Sequence, residues 1–95
     1  MRRHWALTLA VTLSAAMAAG CSSAGAMKNA RAALDNAKTA GVQEKAPYEY
    51  YMAESYFRLA EHEVAEGDRK GAIEFAEKSE QFSADAVKKA GGGAK

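Results

Sequence analysis

The sequence predicts an all-α fold, a small three-helix up-down-up bundle that follows an N-terminal segment of different character. Apolar residues recur at three- and four-residue spacing from Met27 to Ala90, the periodicity of helices with one buried face. Gly41, Pro47 and Gly67-Asp68 interrupt that pattern at helix-length intervals. Alanine, the strongest helix former, fills 23 of the 95 positions. A chain of this length forms one small domain, so a multidomain enzyme is excluded.

The first segment, residues 1–20, reads as an export signal. Met1-Arg2-Arg3-His4 is a short basic leader, and the run from Trp5 to Ala19 carries no charge and is rich in Leu, Val and Ala. Fifteen helical residues span about 22 Å, short of the hydrocarbon core of a bilayer, so a cleaved signal fits better than a permanent transmembrane helix. Arg2-Arg3 lacks the polar residue and the Phe-Leu pair of a twin-arginine signal, which favours general secretion. Ala18-Ala19-Gly20-Cys21 then sets small residues directly before the only cysteine of the chain. This string resembles the lipobox of bacterial lipoproteins, with Ala18 where Leu is usual.

That resemblance implies that Cys21 becomes the first residue of the mature chain and carries covalent diacylglycerol and an N-acyl group such as palmitate. Two or three acyl chains anchor a protein stably, where one holds it only reversibly. Ser22 in place of Asp implies the outer membrane over the inner one, facing the periplasm. The competing reading is a signal cleaved at Ala-x-Ala, with Cys21 left as a free thiol.

Without residues 1–20 the mature chain has 11 basic against 12 acidic residues, a net charge of −1. Neither a nucleic-acid footprint nor a polybasic membrane patch fits that balance. Residues 21–26 read as the acylated cysteine and a short tether, and residues 27–90 as the helical domain. A first helix is expected over about 27–40, with Met27, Ala30, Leu34 and Ala37 as a narrow apolar stripe and Gly41 as its stop. Residues 41–46 have the length of a connector.

The second helix, 47–66, starts at Pro47, whose missing N–H is not needed in a first turn. Its apolar residues occupy two faces: Tyr48, Met52, Tyr56 and Leu59 form one, and Tyr50, Ala53, Phe57, Ala60 and Val64 the other. Glu54, Arg58 and Glu61 fill the remaining arc. A helix apolar on two sides is expected to sit between two neighbours, in the middle of the bundle. Asp68 is placed to cap the third helix, 69–90, in which Ala72, Phe75, Ala76, Ser79, Phe82, Ser83, Ala86 and Ala90 share a face. Gly91-Gly92-Gly93 opens a flexible tail, 91–95. So many alanines make a thin core, and the pair 47–90 is expected to be the stable unit, with the first helix weakly docked.

The run Tyr56-x-x-Leu59-Ala60, Gly67-Asp68, Ala72 and Ala76 is similar to one tetratricopeptide repeat, departing at Glu63 and Ser79. The string Ala46-Pro47-Tyr48-Glu49-Tyr50, Ala53-Glu54-x-Tyr56 and Ala72-Ile73-x-Phe75-Ala76 resembles a small bacterial lipoprotein domain, domain-of-unknown-function family 4398. The resemblance covers most of Ala24 to Ala90. Longer relatives place such a segment before an OmpA-like peptidoglycan-binding domain, for which the residues after Ala90 leave no room. The family carries no assigned chemistry, so the resemblance implies location and fold.

Candidate chemistry is sparse. His62 and Glu66 share a helical face at i,i+4, but one imidazole and one carboxylate fall short of the three or four ligands of a zinc site, and no metal is expected. No catalytic constellation is available once His4 leaves with the signal, so the protein is expected not to be an enzyme. Tyr50 and Tyr51 are the candidate partner-binding residues, because tyrosine is enriched at interfaces. The expectation is therefore a non-enzymatic, lipid-anchored adaptor or scaffold of the cell envelope with a protein partner and no cofactor beyond its acyl groups. The alternative is a tether from the outer membrane to peptidoglycan through the C-terminal Lys95, in the manner of the major outer-membrane lipoprotein, which starts Cys-Ser-Ser and ends in Lys.

Overall fold

Pro47 and two glycines divide the helical sequence, and the backbone reverses where they stand. The computed structural model describes residues 22–39 and 41–92, and the described chain is helical without a strand. The expected signal peptide, Cys21 and Lys95 lie outside the described residues. In order, the elements are α1 (Ser23–Thr39), the single turn α2 (Val42–Lys45), α3 (Pro47–Glu66), α4 (Arg69–Val87) and a π-helical turn, Lys88–Gly92.

Each break has a chemical cause. Gly41, at φ 70°, adopts the left-handed conformation that terminates a helix at little steric cost. Gly67, at φ 80°, ends α3 in a Schellman motif: its N–H donates to the Val64 carbonyl at 3.1 Å, and the Asp68 N–H donates to the Glu63 carbonyl at 2.9 Å. Asp68 then caps α4, its carboxylate accepting from the Gly71 N–H at 2.9 Å. That hydrogen bond holds the Asp68 carboxyl below the usual carboxylate range.

α3 and α4 run antiparallel. Tyr48 meets Phe82, Tyr56 meets Phe75, and the Ser79 hydroxyl donates to the Ala53 carbonyl at 2.7 Å. α1 runs antiparallel to α3, with Arg31 beside Glu61 at 3.7 Å and its guanidinium 4.5 Å from the centre of the Phe57 ring. The core where the three helices meet consists mainly of small residues. Ala30, Leu34 and Ala37 come from α1; Tyr50, Ala53, Phe57 and Ala60 from α3; Ala72, Ala76, Ser79, Ser83 and Ala86 from α4. Small side chains let helix axes approach closely.

Five features differ from the sequence reading. α1 begins at Ser23, so most of the expected tether is helix; Ser22, Gly25 and Ala26 line a concavity with Ile73 and Glu77 of α4. The reason is tertiary, since Gly25 and Ala26 lack bulk and admit α4. Residues 42–46 form a buried corner, with Val42 and Ala46 fully enclosed, where a plain connector was expected. α1 is docked, with Ala30 and Ala37 fully buried, and it packs more extensively on α4 than on α3. The helix flanked on both sides is therefore α4, not α3, because the Ala and Ser stripe of α4 accepts two close neighbours. Finally, helical structure continues through Gly91, where a tail was expected, and Lys89 of the π-helical turn pairs with Glu49 at 3.3 Å.

Candidate functional site

Adjacent positions on a helix point about 100° apart, so Tyr50 and Tyr51 cannot share an environment. Tyr50 extends the stripe of Ala53, Phe57 and Ala60 and is fully buried. Its hydroxyl has no hydrogen-bond partner among the described residues. Burial first, and then the Glu54 carboxylate beside it, push its phenol above the ordinary range. A buried side chain offers no surface, and of the two candidates only Tyr51, 62% exposed, is available to a partner. Tyr48, 63% exposed, joins it at the same end of α3.

The aromatic residues of the α3–α4 hairpin form a ladder. Tyr56 stacks on Phe82 with ring centroids 5.7 Å apart and planes at 9°, and lies 5.8 Å from Phe75. Lys78 sits 5.7 Å from the Tyr56 ring centre. Both sides of Tyr56 are thus engaged, and the ladder works as a helix-packing seam rather than as an open stacking platform for planar ligands.

The exposed arc of α3 runs along Tyr48, Tyr51, Met52, Ser55 and Leu59 without a charge. Glu54, Arg58 and Glu61 turn to one flank, where they form a shallow cleft with Arg31 and Lys38 of α1. That cleft mixes cations and carboxylates and selects no charge sign. His62 and Glu66 lie 4.0 Å apart, both exposed, and form an ion pair when the imidazole is protonated. Among the described residues no group of three metal-binding side chains is gathered at one point. Glu63, hydrogen-bonded to the Asp68 carboxyl, is held above the usual carboxylate range.

The site is therefore a surface: an uncharged face of tyrosine, methionine, serine and leucine on a rigid helix. Sequence periodicity placed Tyr48, Met52 and Leu59 on one apolar face but gave no position to Tyr51. Ser55 was not singled out, and the signal that marks it is the absence of charge around it. No helix among the described residues is long and apolar enough to cross a membrane.

No curated protein and no solved structure matches this chain. The profile of a domain of unknown function, DUF4398, matches residues 25–91, which are α1 from its first turn through α4 and into the π-helical turn. With most of its length inside that match, this chain belongs to the DUF4398 family.

Proposed function

We propose that the protein is a non-enzymatic, lipid-anchored helical adaptor of the bacterial cell envelope, acylated at Cys21 and facing the periplasm, with the outer membrane as its site. In this reading residues 1–20 are a lipoprotein signal peptide. The mature domain is a three-helix up-down-up bundle whose α3–α4 hairpin is similar to a tetratricopeptide unit.

The observation that carries the reading is the run Ala18-Ala19-Gly20-Cys21 set two residues before the start of a folded bundle at Ser23. An acyl anchor needs no folded contacts of its own, only a position next to a domain that stays in water. The uncharged face of α3 supports the adaptor role, since it matches the composition of interface cores. Confinement to a membrane raises effective concentration, so a modest contact suffices. The reversals at Gly41 and Gly67 favour the adaptor over the Lys95 tether, which calls for one unbroken heptad helix.

Mass spectrometry of the mature N-terminal peptide tests the anchor. The expected product begins at Cys21 and carries acyl chains, and Cys21→Ala leaves the membrane fraction. A free thiol at Cys21, or a mature chain beginning elsewhere, would overturn it.

A further inference from the structure

Both α1 and α4 run antiparallel to α3, so they point the same way and begin at the same end of the bundle. Ser22 lines a concavity with Ile73, four residues after α4 starts at Arg69. At about 1.5 Å per residue, the two starts lie within about one helical turn of each other along the bundle. The α3 side gives the same level. Arg31 stands beside Glu61, nine residues after Ser22 and five before α3 ends at Glu66, which sets Ser22 level with the turn between α3 and α4. The short helix α2 and the π-helical turn lie at the opposite end.

Almost nothing separates this end from position 21. Helix α1 starts at Ser23, so Ser22 alone stands between it and Cys21, and one residue adds at most about 3.8 Å of reach. The headgroup layer on each side of a bilayer is about 5–8 Å deep. Acyl chains held in the hydrocarbon therefore keep the start of α1, and whatever is level with it, at the depth of the headgroups. Level with it is the run Glu66-Gly67-Asp68-Arg69-Lys70, every residue of which is exposed. Val64, 48% exposed, flanks that run, and Arg69 and Lys70 open with Gly67 and Ile73 onto a shallow concavity. Glu63, Glu66 and Asp68 stand at the same end and offset the two cations. The mixture fits headgroups that carry both a phosphate and an amine, and it calls for no anionic lipid.

We infer that the α3–α4 turn is the surface that rests on the lipid headgroups, so that the bundle stands on end over the bilayer. This orientation rests on the anchoring at Cys21 proposed above. The anchor supplies the affinity, and the short connection supplies the direction. Standing on end keeps the uncharged face of α3 upright and in water, open to a partner; a bundle lying on that side would bury it in lipid.

The test uses the full-length protein, processed in cells and reconstituted into phosphatidylethanolamine and phosphatidylcholine vesicles that carry a nitroxide on the headgroup. Ala65→Cys, Ser55→Cys and Glu44→Cys each supply one thiol for a bimane label, since an acylated Cys21 has none free. The three positions are exposed, and they sample the turn, the outer face of α3 and the far corner. Quenching is expected to be strongest at 65 and at least about twofold weaker at 44, with 55 between them, because the headgroup layer is thin. Strongest quenching at 55 would show a bundle lying on its side, and equal quenching at all three a bundle held off the surface; either result overturns the inference. A flexible insert of about ten Gly and Ser residues between Ser22 and Ser23 spans roughly 16–19 Å and is expected to lower quenching at 65 to the level at 44. Unchanged quenching would overturn the role of the short connection. The mature N-terminal peptide is read from the same samples. An unmodified Cys21 overturns the anchor and the orientation together, whereas an acylated Cys21 with another order of quenching overturns the orientation alone.

Discussion

α4 makes two seams of opposite character. Toward α1 the contact is built from small residues, where Ser22, Gly25 and Ala26 meet Ile73 and Glu77, backed by the enclosed Ala30 and Ala37. Toward α3 it is aromatic, with Tyr48 and Tyr56 set against Phe82 and Phe75. Small residues bring backbones close, but each buries little apolar area; aromatic residues bury much area at a larger spacing. The first seam is thus sensitive to added volume and the second to lost volume. A thin alanine seam also leaves α1 dependent on its few large contacts with α3.

The largest expected effect follows from that dependence. Phe57, 6% exposed, is the large residue that joins α3 to α1, with the Arg31 guanidinium over its ring and Leu34 in the same cleft. Phe57→Ala is expected to cost about 3–5 kcal/mol, which approaches the whole stability of a domain this small. Urea denaturation would show it, with hydrogen exchange of α1 amides rising first. Retained protection in α1 would mean that the alanine seam alone holds that helix, and the contrast between the seams would fail.

Next in size is added volume. Ala30 is fully enclosed, and Ala30→Leu is expected to cost about 1–3 kcal/mol by overpacking. Phe75→Leu on the half-buried aromatic seam is expected to stay below about 1.5 kcal/mol. Thermal melts of the two variants compare them directly, and a reversed order would show that α1 has room to shift.

How legible these features were in the sequence depended on what fixes them. α3 runs from Pro47 to Glu66 as the sequence implied, because proline and glycine act locally: one lacks an N–H, and the other accepts positive φ. Asp68 was legible for the same reason, since a carboxylate three residues before Gly71 meets the first free N–H groups of α4. The start of α1 and the corner at Val42 were not legible, because packing decides them. Ser22 to Ala26 has no strong apolar pattern, and it is ordered by its contact with α4. The apolar stripe already grouped Tyr50 with Ala53 and Phe57, but the preference of tyrosine for interfaces pointed outward; burial prevailed. Of the candidate site, the tyrosine-bearing face was visible as periodicity, whereas its exposure could be read only once α1 proved to lean on α4. The cysteine motif, residues 18–21, lies outside the described residues, so its reading rests on the sequence alone.

The smallest expected effects concern two buried hydroxyls on either side of this core, and they carry opposite signs. Ser79 donates to the Ala53 carbonyl at 2.7 Å across the α3–α4 seam, so Ser79→Ala is expected to lose about 1 kcal/mol. Tyr50 is equally buried, but its hydroxyl has no partner, so the folded state already bears the desolvation cost. Tyr50→Phe is expected to stabilise the protein by about 1 kcal/mol, because it removes that cost and keeps the ring. The pH dependence separates this from a general packing effect. The Tyr50 phenol is raised above its unfolded value, so the folded state favours the neutral form. The corresponding stability is complete below about pH 10 and is lost as pH rises through the folded value. Tyr50→Phe should therefore flatten the alkaline limb of a denaturation series, while Ser79→Ala shifts the whole curve without changing its shape. A destabilised Tyr50→Phe variant would show that the hydroxyl finds a partner in solution, Glu54 one turn on being the carboxylate that acts on it, and would make that turn of α3 a polar contact within the apolar core.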